Sequence, residues 1–352
     1  MISHGSLKIK DVLLPLMMVA LLSVCATASA QSTSPAGPLP LTVSMVGGSY
    51  EQLVADSIDK PLEDTKQLSI TVDTESHPER LTKLVTERGH PGSFDVVQFP
   101  DYFMYQANAY GLLQKIDVSR MATWKTINPA FRRSYSIPHI YSAAVILYDP
   151  AHVKPAPTSY SVFWDPRYKG HIGALDFMFP QWLWLASTQA GTRKGHDFDA
   201  GWPKLRALKD NGLQVFPTQE SLDSAIKSGQ IWLTLNYRAR AVQLVKAGVA
   251  IENVVPKEGA WPVSFEFAIP KNAQHVRAAY IYLNQVLTKA AQQAASDRIF
   301  YAPVVSTVNA TGALARSIDF TRDEIKRFLK VDFAYVSTNS PRWQQRWEEQ
   351  IK

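Results

Sequence analysis

Short apolar runs of three to six residues alternate with amphipathic stretches from residue 41 onward, and glycine, proline or polar clusters separate them. This alternation predicts an α/β chain. Leu41–Val46 reads as a strand, Gly47-Gly48 turns the chain, and Ser49 with Gln52 predicts a capped helix to about Lys60. Ile70–Val72 is a second strand. Ser76 and Glu79 form another capping box, opening a helix that stops at Gly89. Asp95–Phe99 is a third strand, followed by a helix ending near Gly111. Further strands are predicted at Ala143–Tyr148, Ile172–Leu175, Leu213–Phe216, Ile231–Leu235 and Phe265–Ile269. Helices are predicted near Gln181–Ala190, Trp202–Lys209 and Ser221–Lys227, with a long tract over Ala273–Ile299. One of the two C-terminal helices is capped by Thr321 and Glu324. The last opens at Ser340, with Pro341 at its first position.

Strand–helix–strand order gives parallel sheets, whose ligands gather at strand C-terminal ends. Position alone therefore directs attention to Ser49, Tyr50, Pro100, Asp101 and Tyr102.

The first thirty residues follow a different pattern. Lys8 and Lys10 precede an apolar run from Val12 to Ala26, and Ala28-Ser29-Ala30 supplies small residues for cleavage. The run is short of the ~20 residues a membrane helix needs. Residues 1–30 are expected to be a signal peptide cleaved after Ala30, and 31–40 a flexible N-terminus, which puts the protein in the periplasm. A buried helix fits the charge order less well. So does a lipoprotein anchored through Cys25, because Val24 stands where a small residue is wanted.

Cleavage would remove Cys25, the single cysteine, and leave a net charge of +5 from the full chain's +6. That excludes disulfide chemistry. The positive charge is scattered without a basic stripe, so nucleic acid is not an expected partner. The eight histidines include no pair three or four residues apart, and no metal or cofactor is expected. Neither a nucleophile elbow nor a P-loop occurs, so the chain is not expected to be an enzyme. Aromatic residues make up 11% of the chain. Ring faces suit organic cations, although most single aromatics belong to cores.

Four stretches in order resemble the extracellular solute-binding proteins of bacterial ABC importers, in the spermidine/putrescine-binding branch. They are Leu41–Tyr50; Phe94–Val97 with Gly111–Asp117; Phe163–Ile172; and Val255–Gly259 with Ala268–Pro270. The resemblance implies a type II periplasmic-binding-protein fold, two α/β lobes with mostly parallel sheets flanked by helices and joined by hinge strands. Lobe 1 would comprise 41–143 plus 265–309, and lobe 2 would comprise 144–264 plus 310–352. Crossings would fall near Ser142–Ile146, Ser264–Phe267 and Val305–Asn309. The protein would act as a monomer that captures a small solute and presents it to a membrane permease. A secreted enzyme using the same cleft, or a sensor signalling to a receptor, are the alternatives.

The resemblance also carries a ligand site. Tyr50, Tyr102 and Tyr301 align with aromatic contacts of the polyamine binders. Those proteins' tryptophan and aspartate positions become Val263 and Phe265 here, and Glu266 is displaced by one residue, which points it to the opposite strand face. Asp176 remains from an expected acidic pair, so the cargo is expected to differ from a dication. Asp101 and Asp176 could meet an amine. Arg238 and Arg240, after Asn236-Tyr237, could fork onto a carboxylate or phosphonate, or could lie on a solvated helix face. Trp182, Trp184 and Trp261 are candidates for stacking. The expected site is Ser49, Tyr50, Asp101, Tyr102, Tyr141, Asp176, Trp182, Asn236, Tyr237, Arg238, Phe265, Glu266 and Tyr301. Its solute would be amine-bearing or zwitterionic: polyamine-like, amino-acid-like or an aminophosphonate.

Overall fold

Ile137–Tyr148, rich in β-branched, aromatic and small residues, forms a twelve-residue strand in which every residue is buried. Unbroken burial marks a central strand covered on both faces. The computed structural model around it describes residues 37–192, 197–308 and 315–352. The expected signal segment with Cys25, its cleavage point, residues 31–36 and Asn309 lie outside the described residues.

Ten strands are present among the described residues: β1 (Leu39–Met45), β2 (Leu68–Thr74), β3 (Val96–Pro100), β4 (Ile137–Tyr148), β5 (Ile172–Leu175), β6 (Leu213–Phe216), β7 (Leu233–Tyr237), β8 (Glu252–Val254), β9 (Trp261–Ala268) and β10 (Ala302–Pro303). They form one sheet in the order β2-β1-β3-β9-β4-β7-β5-β6, with β8 and β10 each paired to β4. β1 runs parallel to β2 and β3, and β5 runs parallel to β6 and β7. Between these parallel ends lie β9 and β4, antiparallel to each other and to their outer neighbours. β4 pairs with β9 over Ile137–Ala144 and with β7 over Ala144–Tyr148, so one strand serves both ends of the sheet.

Each parallel end turns directly from strand to helix. β3 leads into the helix Asp101–Ala109, and β5 leads through a short turn into Phe179–Gln189. β6 precedes Gln219–Lys227, and β7 precedes Arg238–Lys246. Helix N-termini, with their unsatisfied N–H groups, therefore gather at the strand C-terminal ends. The main apolar core runs along both sheet faces. A smaller cluster around Phe94, Phe99 and Met104 sits beneath the helices His77–Thr86 and Asp101–Ala109.

The helix beginning at Ser49 has Gly48 as its cap, with φ of 83° and no side-chain cap hydrogen bond, so Ser49 and Gln52 do not form the expected box. Only glycine takes that positive φ readily, and the turn sets the helix start one residue early. The helix continues through a π-turn at Ala55–Asp59 to Asp64. Both other capping boxes form, at Ser76–Glu79 and Thr321–Glu324. The tract from Ala273 splits in two, because Thr288 accepts the Ala291 N–H and starts a second helix. The last helix runs over Phe333–Gln350 and carries Pro341 in its interior instead of at its start. The Asp332 carboxylate caps it earlier, accepting the Tyr335 N–H at 3.0 Å.

Candidate functional site

At the strand C-terminal ends lies a cavity of ≈ 990 Å³. Ligand pockets typically enclose about 300–1,000 Å³. Its wall on one side comes from Pro100–Phe103, Gln106 and His77, and on the other from Asp176, Phe177, Phe179–Gln181, Gln219, Tyr237 and Arg240. Trp261, Val263 and Phe265 of β9 form the back with Tyr301, and the helix Phe333–Gln350 adds Phe333, Val336 and Ser337.

Asp101 lies at the base of this cavity, 6% exposed. It opens its helix immediately after Pro100, so its carboxylate faces the strand end where the ladder stops. Among the described residues its oxygens accept only backbone N–H groups, from Tyr102 at 2.9 Å and Ser264 at 3.2 Å. Burial, reinforced by the nearby Glu266 carboxylate, pushes its pKa up to about 7 against the opposing pull of Arg133.

β9 explains the geometry behind Asp101. Phe265 faces the cavity, and the next residue, Glu266, faces away and is fully buried. Glu266 pairs with Arg133 Nε at 3.0 Å and accepts hydrogen bonds from Ser264 and Ser136. It therefore acts as a buried counter-charge to Arg133 and does not contact the cleft.

Tyr237 and Tyr301 line the cavity beside the ionised groups. The Tyr237 hydroxyl is pushed up by burial, by Tyr301 and by Asp101, and pulled down by Arg240. That phenol therefore sits within the fields of both the acid and the guanidinium. Burial also raises Tyr301, and Arg240 lowers it. Tyr301 meets Phe265 edge-on at 5.6 Å. Arg240 donates to the Gln243 side chain at 2.7 Å. Asp176 accepts from Trp347 Nε1 at 2.9 Å and from Lys352 Nζ at 2.8 Å. His77, whose pKa is held down to about 4 by burial and by Arg80, is neutral at physiological pH.

Of the expected site residues, Asp101, Tyr102, Asp176, Tyr237, Phe265 and Tyr301 line the cavity together, as does Trp261. The others lie elsewhere. Ser49 is exposed at its helix start. Tyr50 is buried behind Phe265 and hydrogen-bonds His139 Nδ1 at 2.8 Å. Tyr141 packs at a tilt against Phe131 and donates to Asp319 at 2.6 Å. Trp182 is fully buried against Phe163, and Trp184 meets Trp261 edge-on from the core side. Asn236 is buried and donates to Gln219. Arg238 pairs with Glu324 at 2.7 Å and lies 4.0 Å from the Phe320 ring centroid, so it holds structure together.

Among the lining residues passed over in sequence are Phe177, Gln181, Gln219 and the C-terminal helix. The strand-end rule, applied to β5 and β6, points to the first three. Nothing local in the sequence marks the helix. Gln181 carries a buried Oε1 with no hydrogen-bond partner among the described residues, an acceptor open to a ligand donor. No group of three metal-ligating side chains occurs among the described residues, and no described helix is long and apolar enough to cross a membrane.

A family model described as bacterial extracellular solute-binding protein matches residues 57–324. The chain is 27% identical over 242 residues to the spermidine/putrescine-binding periplasmic protein of Escherichia coli K12, spanning 64% of this chain and 67% of that one. It is 25% identical over 271 residues to spermidine/putrescine-binding periplasmic protein 1 of Haemophilus influenzae, spanning 72% and 73%. An ABC transporter structure from Clostridium perfringens superposes with a TM-score of 0.77 at 21% identity, over 89% of this chain and all of that one.

Proposed function

Because this chain belongs to the bacterial extracellular solute-binding protein family, we propose that it captures a small amine-bearing or zwitterionic organic solute for an ABC importer's permease. Its fold is the two-lobed periplasmic-binding-protein fold. The observation that carries the solute class is Asp101: a buried carboxylate with only backbone N–H partners among the described residues, in a cavity walled by Tyr102, Tyr237, Phe265 and Tyr301. Such a group gains a full counter-charge only when a cation arrives, and ring faces stabilise that cation further.

Delivery requires the bound form to differ from the free one. The strands β4 and β9 support a hinge there, since they alone in the sheet connect its two parallel ends. The proposed lobes are 41–143 plus 265–309 and 144–264 plus 310–352. A solute touching both walls binds the closed arrangement better, and that difference in affinity drives closure. The proposed compartment is the periplasm, reached through a signal peptide over residues 1–30.

A thermal-shift panel of diamines, polyamines, ω-amino acids and aminophosphonates tests the reading on protein refolded free of ligand. A cognate solute at 100 times its dissociation constant should add ~2.7 kcal/mol of stability. A flat response to every amine in the panel defeats it.

A further inference from the structure

Among the described residues three charged side chains line the cavity: Asp101, Asp176 and Arg240. Their partners differ. Asp176 is already matched by Lys352, whose ammonium lies 2.8 Å from Oδ2, and its other oxygen accepts from Trp347. Asp101 has no cation within ion-pair distance among the described residues, and Arg240 has no carboxylate within that distance. Arg240 is half-buried and, among the described residues, its side chain bonds only to the neutral Gln243 amide. One acid and one base are therefore left unmatched in a single cleft, with Tyr237 within reach of both fields.

We infer that the cleft is built for a zwitterion, whose ammonium is held by Asp101 and whose anionic end is held by Arg240, and that Lys352 occupies Asp176 in place of a second ligand ammonium. This deepens the solute-binding reading above and rests on it. A diamine entering the same cleft would pair one amine with Asp101. Its second amine would meet either the unmatched guanidinium or an aspartate that already holds an ammonium. Like-charge contacts of this kind select against a ligand as effectively as good contacts select for one. At the other end, a guanidinium presents a planar fork that fits a carboxylate or phosphonate through two hydrogen bonds. Two neighbouring helix N-termini, at Gln219 and Arg238, add N–H dipoles of the same sign. The aromatic walls leave the middle of the solute free to be a methylene chain or a ring.

The test is calorimetric titration of the full chain with 5-aminopentanoate, 3-aminopropylphosphonate, putrescine and butylamine. Wild-type protein should bind the first two at least tenfold more tightly than the last two. In Arg240→Gln that preference over butylamine should collapse by roughly 10- to 100-fold, the worth of a charge-assisted hydrogen bond. Arg240→Lys should restore part of it. Lys352→Met should tighten putrescine by roughly threefold to fivefold, as expected for a half-exposed pair. The inference is overturned if wild-type protein prefers putrescine, or if the preference survives Arg240→Gln. Those results leave the solute-binding reading standing, whereas failure of all four probes together overturns both.

Discussion

Replacing Asp101 by asparagine should lower affinity for an amine solute by roughly two to three orders of magnitude. The change keeps size and shape and removes the charge. A buried, hydrogen-bonded charge pair that loses one partner gives up ~2–5 kcal/mol, because the other charge is left in a poorly solvated site. The same residue sets the pH dependence. Burial and Glu266 raise the carboxyl to about 7 in the folded protein, whereas an unfolded aspartate titrates near ~3.9. An ammonium binds the ionised form, so below pH 7 binding must expel a proton. Affinity should then rise about tenfold per pH unit until pH 7 and level above it. Stability of the ligand-free protein runs the other way. Between pH ~4 and 7 the folded chain holds a proton that the unfolded chain has released, so this contribution is complete below pH ~4 and is lost as pH rises through 7. Asp101→Asn should flatten both slopes. Titrations at pH 5.5, 6.5 and 8 with urea denaturation at the same values measure this, and a variant that binds as wild type rules out the site placement.

Arg80→Leu should destabilise the fold by ~3–5 kcal/mol, because several acceptors lose their shared donor at once. Arg80 is fully buried with no carboxylate within ion-pair distance among the described residues. Its guanidinium donates to Ser44 Oγ at 2.7 Å, to the Gln98 carbonyl at 2.6 Å and to the Glu75 carbonyl at 2.7 Å. It thereby ties the end of β1 to the end of β3 and to the loop after β2. Leucine leaves the Gln98 carbonyl and the Ser44 hydroxyl buried without their donor, each a desolvation penalty of ~1–3 kcal/mol, and the partly buried Glu75 carbonyl adds less. It also removes the cation that helps burial hold His77 down at about 4, so the His77 pKa should rise. Urea denaturation with histidine NMR titration reads both effects. A stability loss under ~1 kcal/mol would show that the network is not what holds these strand ends together.

The sequence makes the element order legible because it is local. Ile172–Leu175 and Leu213–Phe216 are strands with the predicted bounds, and the Ser76 and Thr321 boxes cap as predicted. The strand-end rule brings Asp101 and Tyr102 to the cleft for the same reason. What stays hidden depends on direction and distance. Arg238 and Arg240 share a helix but stand ~200° apart around it, which sends one to Glu324 and the other to the cleft. Trp182 and Trp261 are equally apolar in sequence, yet one fills the core and the other walls the cavity. Ser340-Pro341 has the local chemistry of a helix start, and an earlier cap at Asp332 overrides it. The pairing of Asp176 with Lys352 spans 176 positions, beyond any local pattern.

Trp261 has an optical consequence. The chain carries nine tryptophans, and this one alone among the described residues lines the cavity. Trp182, Trp202, Trp343 and Trp347 are fully enclosed by the core. Solute arrival changes the polarity and quenching around one indole against a large constant background. The intrinsic emission should therefore shift by a small amount that saturates with occupancy, which gives a label-free binding signal and makes Trp261→Phe its natural control.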